Sequence, residues 1–99
     1  MIEYVNNISV DDYTALRAAV GWRAVVPQQT EAGMLNSALI IAAKDGDRIV
    51  GMARLVTDGG HSAIIEDVIV IPEYQRQGIG TVMVGRIMEY MKAQLQEGW

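Results

Sequence analysis

The sequence predicts an α/β fold of the α+β type, a mostly antiparallel sheet with flanking helices in the order β-α-α-β-β-β-α. Three observations carry this. Residues 38–71 hold three runs of β-forming residues punctuated by Asp-Gly pairs, the signature of hairpin turns. The segments before and after them space their apolar residues at helical intervals. Hydrophobic residues make up 51% of the chain against 20% charged, which is globular usage. Ninety-nine residues of 10.9 kDa expose roughly 15,800 Å² unfolded and about 5,600 Å² folded, enough burial for one core and too little chain for two. Residues 1–99 therefore read as a single domain.

Each element has its own cause. Residues 1–6 form a short strand through Ile2, Tyr4 and Val5. Ser9 is placed to cap a helix, with Asp11 and Asp12 in its first turn, Tyr13, Leu16, Ala19 and Val20 at helical spacing, and Gly21 as the stop. Thr30, followed by Glu31, is expected to cap a short second helix through Met34 and Leu35. The apolar runs 38–43 and 48–57 flank Lys44-Asp45-Gly46-Asp47, where glycine suits the positive φ of a type I′ turn. Asp58-Gly59-Gly60 turns the chain into a third run, residues 62–71. Pro72 ends it, residues 73–77 connect, and a helix over residues 78–96 aligns Ile79, Met83, Ile87, Tyr90, Met91 and Leu95 on one stripe.

Composition excludes several functions. Without cysteine there are no disulfides or thiolate metal ligands, and the single histidine, His61, cannot build a zinc site, so no metal is expected. A net charge of −4 and a pI near 4.7 argue against a nucleic-acid partner. No apolar run is long enough to span a bilayer and the N-terminus lacks a signal-peptide pattern, so the expected location is cytoplasmic, with no membrane partner.

The informative segment is Gln75-Arg76-Gln77-Gly78-Ile79-Gly80-Thr81, which joins a strand to a long helix. First-turn amides lack intrahelical acceptors and can point at a pyrophosphate, while glycine lets backbone and ligand approach. Arg76 adds a charge suited to phosphate. Two other phosphate loops fail on spacing: Thr81-Val82 stands where a P-loop needs Lys-Ser or Lys-Thr, and Met83 stands where a dinucleotide fingerprint needs its third glycine.

At these residues the sequence resembles the GNAT N-acetyltransferase superfamily, whose acyl-CoA loop reads Gln/Arg-x-x-Gly-x-Gly/Ala at the start of the third helix. Gln75, Gly78 and Gly80 match its three defined positions, and Asp67-Val68-Ile69-Val70-Ile71-Pro72 is similar to the family's fourth strand with its Val-x-Pro exit. The resemblance runs from the first strand to the third helix. It implies acetyl-CoA as cosubstrate and direct transfer of acetyl to a small-molecule or peptide amine. Cofactor contacts would come from Ile69 and Val70 amides at the thioester carbonyl and from Gln75, Arg76, Gln77, Gly78, Ile79, Gly80 and Thr81 at the pyrophosphate. Family members continue with a fifth strand, a fourth helix and a hairpin, so the chain is expected to be a GNAT-like acyl-CoA-binding domain truncated after the third helix. The family's usual acid, a tyrosine of that later part, has no counterpart here; Tyr74 and Tyr90 do not match it.

Candidates for the base are Glu66 and Asp67. Neighbouring strand residues point to opposite faces, so one of them is expected to face the cleft. Trp22 and Arg23 are candidate acceptor contacts, with a tryptophan packed under a loop as the alternative. Met83, Met88 and Met91 are expected in the core, Arg48 and Arg54 as solvated sheet charges, and His61 in a loop. Besides transfer, two other classes stay open: a non-catalytic acyl-CoA-binding module, and a homodimer formed along an uncovered edge of the last strand.

Overall fold

The computed structural model of the chain describes residues 1–94. The elements follow in the expected order: β1 (Ile2–Val5), α1 (Val10–Ala19), α2 (Pro27–Leu35), β2 (Leu39–Asp45), β3 (Arg48–Thr57), β4 (Ala63–Val70) and α3 (Ile79–Gln94), with a single 3-10 turn at Pro72–Tyr74. The four strands lie in chain order and every pair is antiparallel.

Local chemistry accounts for most boundaries. The Ser9 side chain accepts the Asp12 amide at 3.0 Å and caps α1, which buries Tyr13 and Leu16. Helix α2 begins one turn earlier than expected. Pro27 occupies its first turn, where a missing N–H costs nothing and a fixed φ favours the helix. Thr30 is consequently a buried interior residue and caps nothing. Asp45 pairs with Arg48 across the first hairpin, and of the two residues between them only Gly46 takes positive φ, at 62°. That matches a II′ turn, which needs glycine at its first central position alone, and not the I′ turn expected.

The sheet is covered on both faces, so β3 is buried at four successive positions, 50 to 53. Helix α3 lies over the face of Gly51 and buries Ile79, Met83 and Ile87, with Tyr90 and Met91 partly buried against the core. Met88 departs from the expected core set: it is 45% exposed and lines a groove of about 700 Å³ beside the loop residue His61. Residues Leu95, Gln96, Glu97, Gly98 and Trp99 lie outside the described residues. Helix α1 covers the other face, that of Met52 and Arg54. Among the described residues β4 pairs only with β3, and Ile64 and Val68 on it are exposed.

Gly51 is required by close approach. A Cβ there would stand 2.9 Å from the Ile69 carbonyl oxygen and 3.3 Å from Met83 Cε. Gly51→Ala must therefore push β4 or α3 outward, and a loss of about 1–3 kcal/mol is expected in urea unfolding. An unchanged midpoint would show that the sheet relaxes freely at this point.

Candidate active site

Two regions carry chemistry, and β4 joins them. The first is the loop at its exit. The Ile71 amide donates to Val50 O at 3.0 Å, so strand alternation turns the amide and carbonyl of Val70 outward, away from β3. Gln75 Nε2 donates to that outward carbonyl at 2.8 Å and fixes the loop to the strand. Ile69 has the opposite phase, and its amide faces β3. Arg76 and Gly78 then turn the chain with φ of 65° and 84°. For a residue with a side chain this conformation costs about 1–2 kcal/mol, so Arg76 is strained.

The first amide of this helix start with a protein acceptor is that of Val82, which donates to Gly78 O at 3.0 Å. Among the described residues, the amides of Gly78, Ile79, Gly80 and Thr81 have no acceptor. They border a shallow pocket of about 240 Å³ together with Val70, Tyr74 and Arg76. The protein itself leaves room beside both glycines: a Cβ on Gly78 would meet nothing within 4 Å, and one on Gly80 only Val70 Cγ2 at 3.8 Å. Gly78 is needed for its positive φ. At Gly80 the space beside the Cα is open and borders the same pocket as the free amides. Tyr74 is committed elsewhere. Its hydroxyl donates to the Asp45 carboxylate, which raises the Tyr74 pKa and lowers that of Asp45.

The second region lies at a β-bulge. Arg54 pairs with Glu66 and Met52 with Ile69, so Asp67 and Val68 together face Ala53. Asp67 takes φ 52°, left-handed backbone that aspartate tolerates better than most residues. The extra residue breaks the alternation expected for this strand: Glu66 and Asp67 both lie on the α1 face, and both meet Arg54. Asp67, with a side chain 9% exposed, accepts from Arg54 Nε at 2.7 Å, Tyr13 Oη at 2.9 Å and Arg17 Nη1 at 3.3 Å. Glu66 is 45% exposed and approaches Arg54 Nη2 only at 3.6 Å. Arg54 is thus a largely buried ion-pair partner and not a solvated charge, whereas Arg48, at 58% exposure, pairs with Glu73 as a surface residue.

Above these groups lies a cavity of about 230 Å³ walled by Tyr13, Arg17, Arg54, Glu66, Asp67 and the face of α2 that carries Gln29, Thr30, Gly33 and Met34. Trp22 and Arg23 stand behind this wall. The exposed Trp22 ring carries the Arg17 guanidinium at 5.3 Å, and the Arg23 carbonyl accepts Arg17 Nε at 2.9 Å. Trp22 is therefore not packed under a loop. Tyr13, Arg17 and Arg54 were not singled out by sequence as site residues. A signal for Arg54 exists, because a guanidinium inside the run Val50-Gly51-Met52-Ala53-Arg54-Leu55 demands a buried partner.

Residues 2–97 match the model of the Acetyltransferase (GNAT) family. The chain belongs to this family. An uncharacterized N-acetyltransferase of Pyropia yezoensis is 30% identical over 90 residues, covering 87% of this chain and 52% of that protein. A probable acetyltransferase of meticillin-resistant Staphylococcus aureus superposes with a TM-score of 0.89 at 32% identity, over 95% of this chain and 71% of its own. A GNAT family protein of Streptococcus pneumoniae gives a TM-score of 0.75 at 34% identity, over 100% and 70%. The chain spans about half the length of the Pyropia relative. The matched span takes in the four described strands and the loop after β4. Among the described residues no helix is long and apolar enough to cross a membrane, and no group of side chains could hold a metal ion.

The Tyr13 bond to Asp67 makes stability depend on alkaline pH. Burial and the Asp67 carboxylate raise the Tyr13 pKa above its ordinary 10.0. A raised acid pKa means the folded state holds its proton more tightly, so the contribution is complete below pH 10 and is lost as pH rises through the folded value. Tyr13→Phe should cost about 1.5–3 kcal/mol at neutral pH, as for a hydrogen bond to a charged group. Its penalty should shrink above pH 10 in denaturant titrations; a penalty independent of pH would contradict the assigned bond.

Proposed function

We propose that the chain carries the acetyl-CoA site and the acceptor face of an N-acetyltransferase that moves acetyl to an amine by direct attack. The observation that carries this reading is the run of four acceptor-free amides beside a glycine whose missing Cβ leaves open space. Acetyl-CoA would supply an acyl thioester and a thiol leaving group. Gly78, Ile79, Gly80 and Thr81 would hold the pyrophosphate through their N–H groups, with the positive end of the α3 dipole and Arg76 adding charge. The outward amide of Val70, at the strand end nearest the loop, would donate to the thioester oxygen.

Of the two candidate bases, Glu66 is the better placed. Its carboxylate is half-exposed at the cavity and weakly held, whereas the carboxylate of Asp67 already accepts from three side chains. Glu66 would take a proton from the acceptor ammonium, directly or through one water, leaving the lone pair that attacks the carbonyl carbon. A cavity of about 230 Å³ holds the volume of roughly eight waters, which suits a compact amine or one side chain.

Isothermal titration of the chain with acetyl-CoA tests the loop. Binding in the micromolar range is expected, together with its loss in Gly80→Leu at a little-changed melting temperature, since a Cβ at this position meets only Val70 Cγ2 at 3.8 Å. Absence of heat in the parent chain would overturn the assignment. A free-thiol assay across an amine panel then separates transfer from simple acyl-CoA binding. Glu66→Gln should lower kcat by about 10²–10⁴, the usual worth of a general base, and remove the rise of rate with pH; full activity would exclude Glu66 as the base.

A further inference from the structure

We infer that Asp67 is a positioning residue that sets the place of the acyl carbonyl through the backbone of β4. The inference rests on the acetyl-CoA reading above and adds a role for a side chain that accepts three hydrogen bonds. Asp67 reaches the cavity wall, but its carboxylate oxygens are already taken up by three donors. Its side chain is 9% exposed, and its two oxygens accept from Tyr13 and Arg17 of α1 and from Arg54 of β3.

The backbone of Asp67 is where the consequence lies. Ile71 faces Val50 in the ladder, so Ile69 faces Met52 and, on β3, Arg54 shares the phase of Met52. Glu66, the partner of Arg54, therefore also faces β3. Glu66 and Ile69 are three positions apart, where strand alternation permits an offset of two or four. The odd residue is absorbed by the left-handed turn at Asp67. Without it, alternation from Glu66 would direct the amides of Val68 and Val70 toward β3. Ile69, now 1% exposed, would change faces, as any slip of one residue requires. The Val70 amide would leave the outer edge, and its carbonyl would leave Gln75. Two guanidinium groups from two elements hold the carboxylate that holds this turn. Arg17 extends the same anchor to the segment after α1 through its bond to the Arg23 carbonyl. The acceptor wall and the outward amide of β4 are thus fixed to one side chain.

The test uses amide spectra of the whole chain, labelled with nitrogen-15 and titrated first with CoA and then with acetyl-CoA. The difference between the two ligands reports contact with the acetyl group. In the parent chain both ligands should move Gly78 and Gly80, and acetyl-CoA alone should move Val70. Asp67→Gly accepts φ 52° but offers no carboxylate; Asp67→Asn keeps an acceptor oxygen without charge. In Asp67→Gly the acetyl-specific movement of Val70 should fall at least fivefold, while the Kd from the Gly78 and Gly80 shifts stays within threefold. Asp67→Asn should fall between the two, and it decides the matter if the glycine variant does not fold. An undiminished Val70 response in both variants would overturn the inference, as would a parent chain in which acetyl-CoA and CoA move Val70 alike. If neither ligand moves Gly78 or Gly80 in the parent chain, the acetyl-CoA reading itself fails, and the inference with it. Where thiol release is measured, Asp67→Asn should lower kcat and keep the rising limb of the pH profile; loss of that limb would make Asp67 the base and overturn its assignment as a positioning residue.

Discussion

The carboxylate of Asp67, closed between the guanidinium groups of Arg17 and Arg54 and capped by the Tyr13 hydroxyl, ties a helix, a central strand and an edge strand to one point. Such an arrangement is costly to make, because each ion loses several kcal/mol of hydration that mutual attraction only partly restores. Apolar residues of similar volume would serve stability as well. What they could not do is hold an aspartate backbone in left-handed conformation in the middle of a strand. Removing one partner from a buried pair typically costs about 3–5 kcal/mol, so the bulge is held firmly.

Much of the remaining geometry follows from that bulge and from the edge position of β4. The strand faces β3 on one side, and among the described residues its other side carries no strand. Its outward groups at Val70 therefore serve the loop, one as an acceptor for Gln75 and one as a free donor. The loop in turn delivers the chain into α3 with four amides unsatisfied by protein. Anion recognition and carbonyl polarisation would both be backbone functions here, placed by side chains that touch neither ligand. The acceptor cavity lies on the α1 face, where the two consecutive carboxylates meet Arg54.

The sequence announced the backbone site far better than the side-chain site. Gly78 and Gly80 are legible because a turn with positive φ and an uncrowded amide each require glycine, whatever the surroundings. Element order was legible from periodicity, and Ser9 from its capping chemistry. The start of α2 is harder to read, because Thr30 carries a capping side chain while Pro27, three residues earlier, already opens the first helical turn. The acceptor region depends instead on long-range pairing. Arg17, Arg54 and Asp67 share no local pattern, and alternation read along residues 62–71 assigns Glu66 and Asp67 to opposite faces. The register of β3 against β4 puts them together, and a register cannot be read from one strand. Only the charge of Arg54 within an apolar run hinted that β3 conceals an ion pair.

The most direct measurement is a crystal structure of the chain with acetyl-CoA. Pyrophosphate oxygens should lie within hydrogen-bond distance, about 2.7–3.2 Å, of the amides of Gly78 to Thr81. The thioester oxygen should face the Val70 amide, with Asp67 still enclosed by Arg17 and Arg54. A pyrophosphate bound away from these amides, or a thioester placed on another strand, would contradict both assignments.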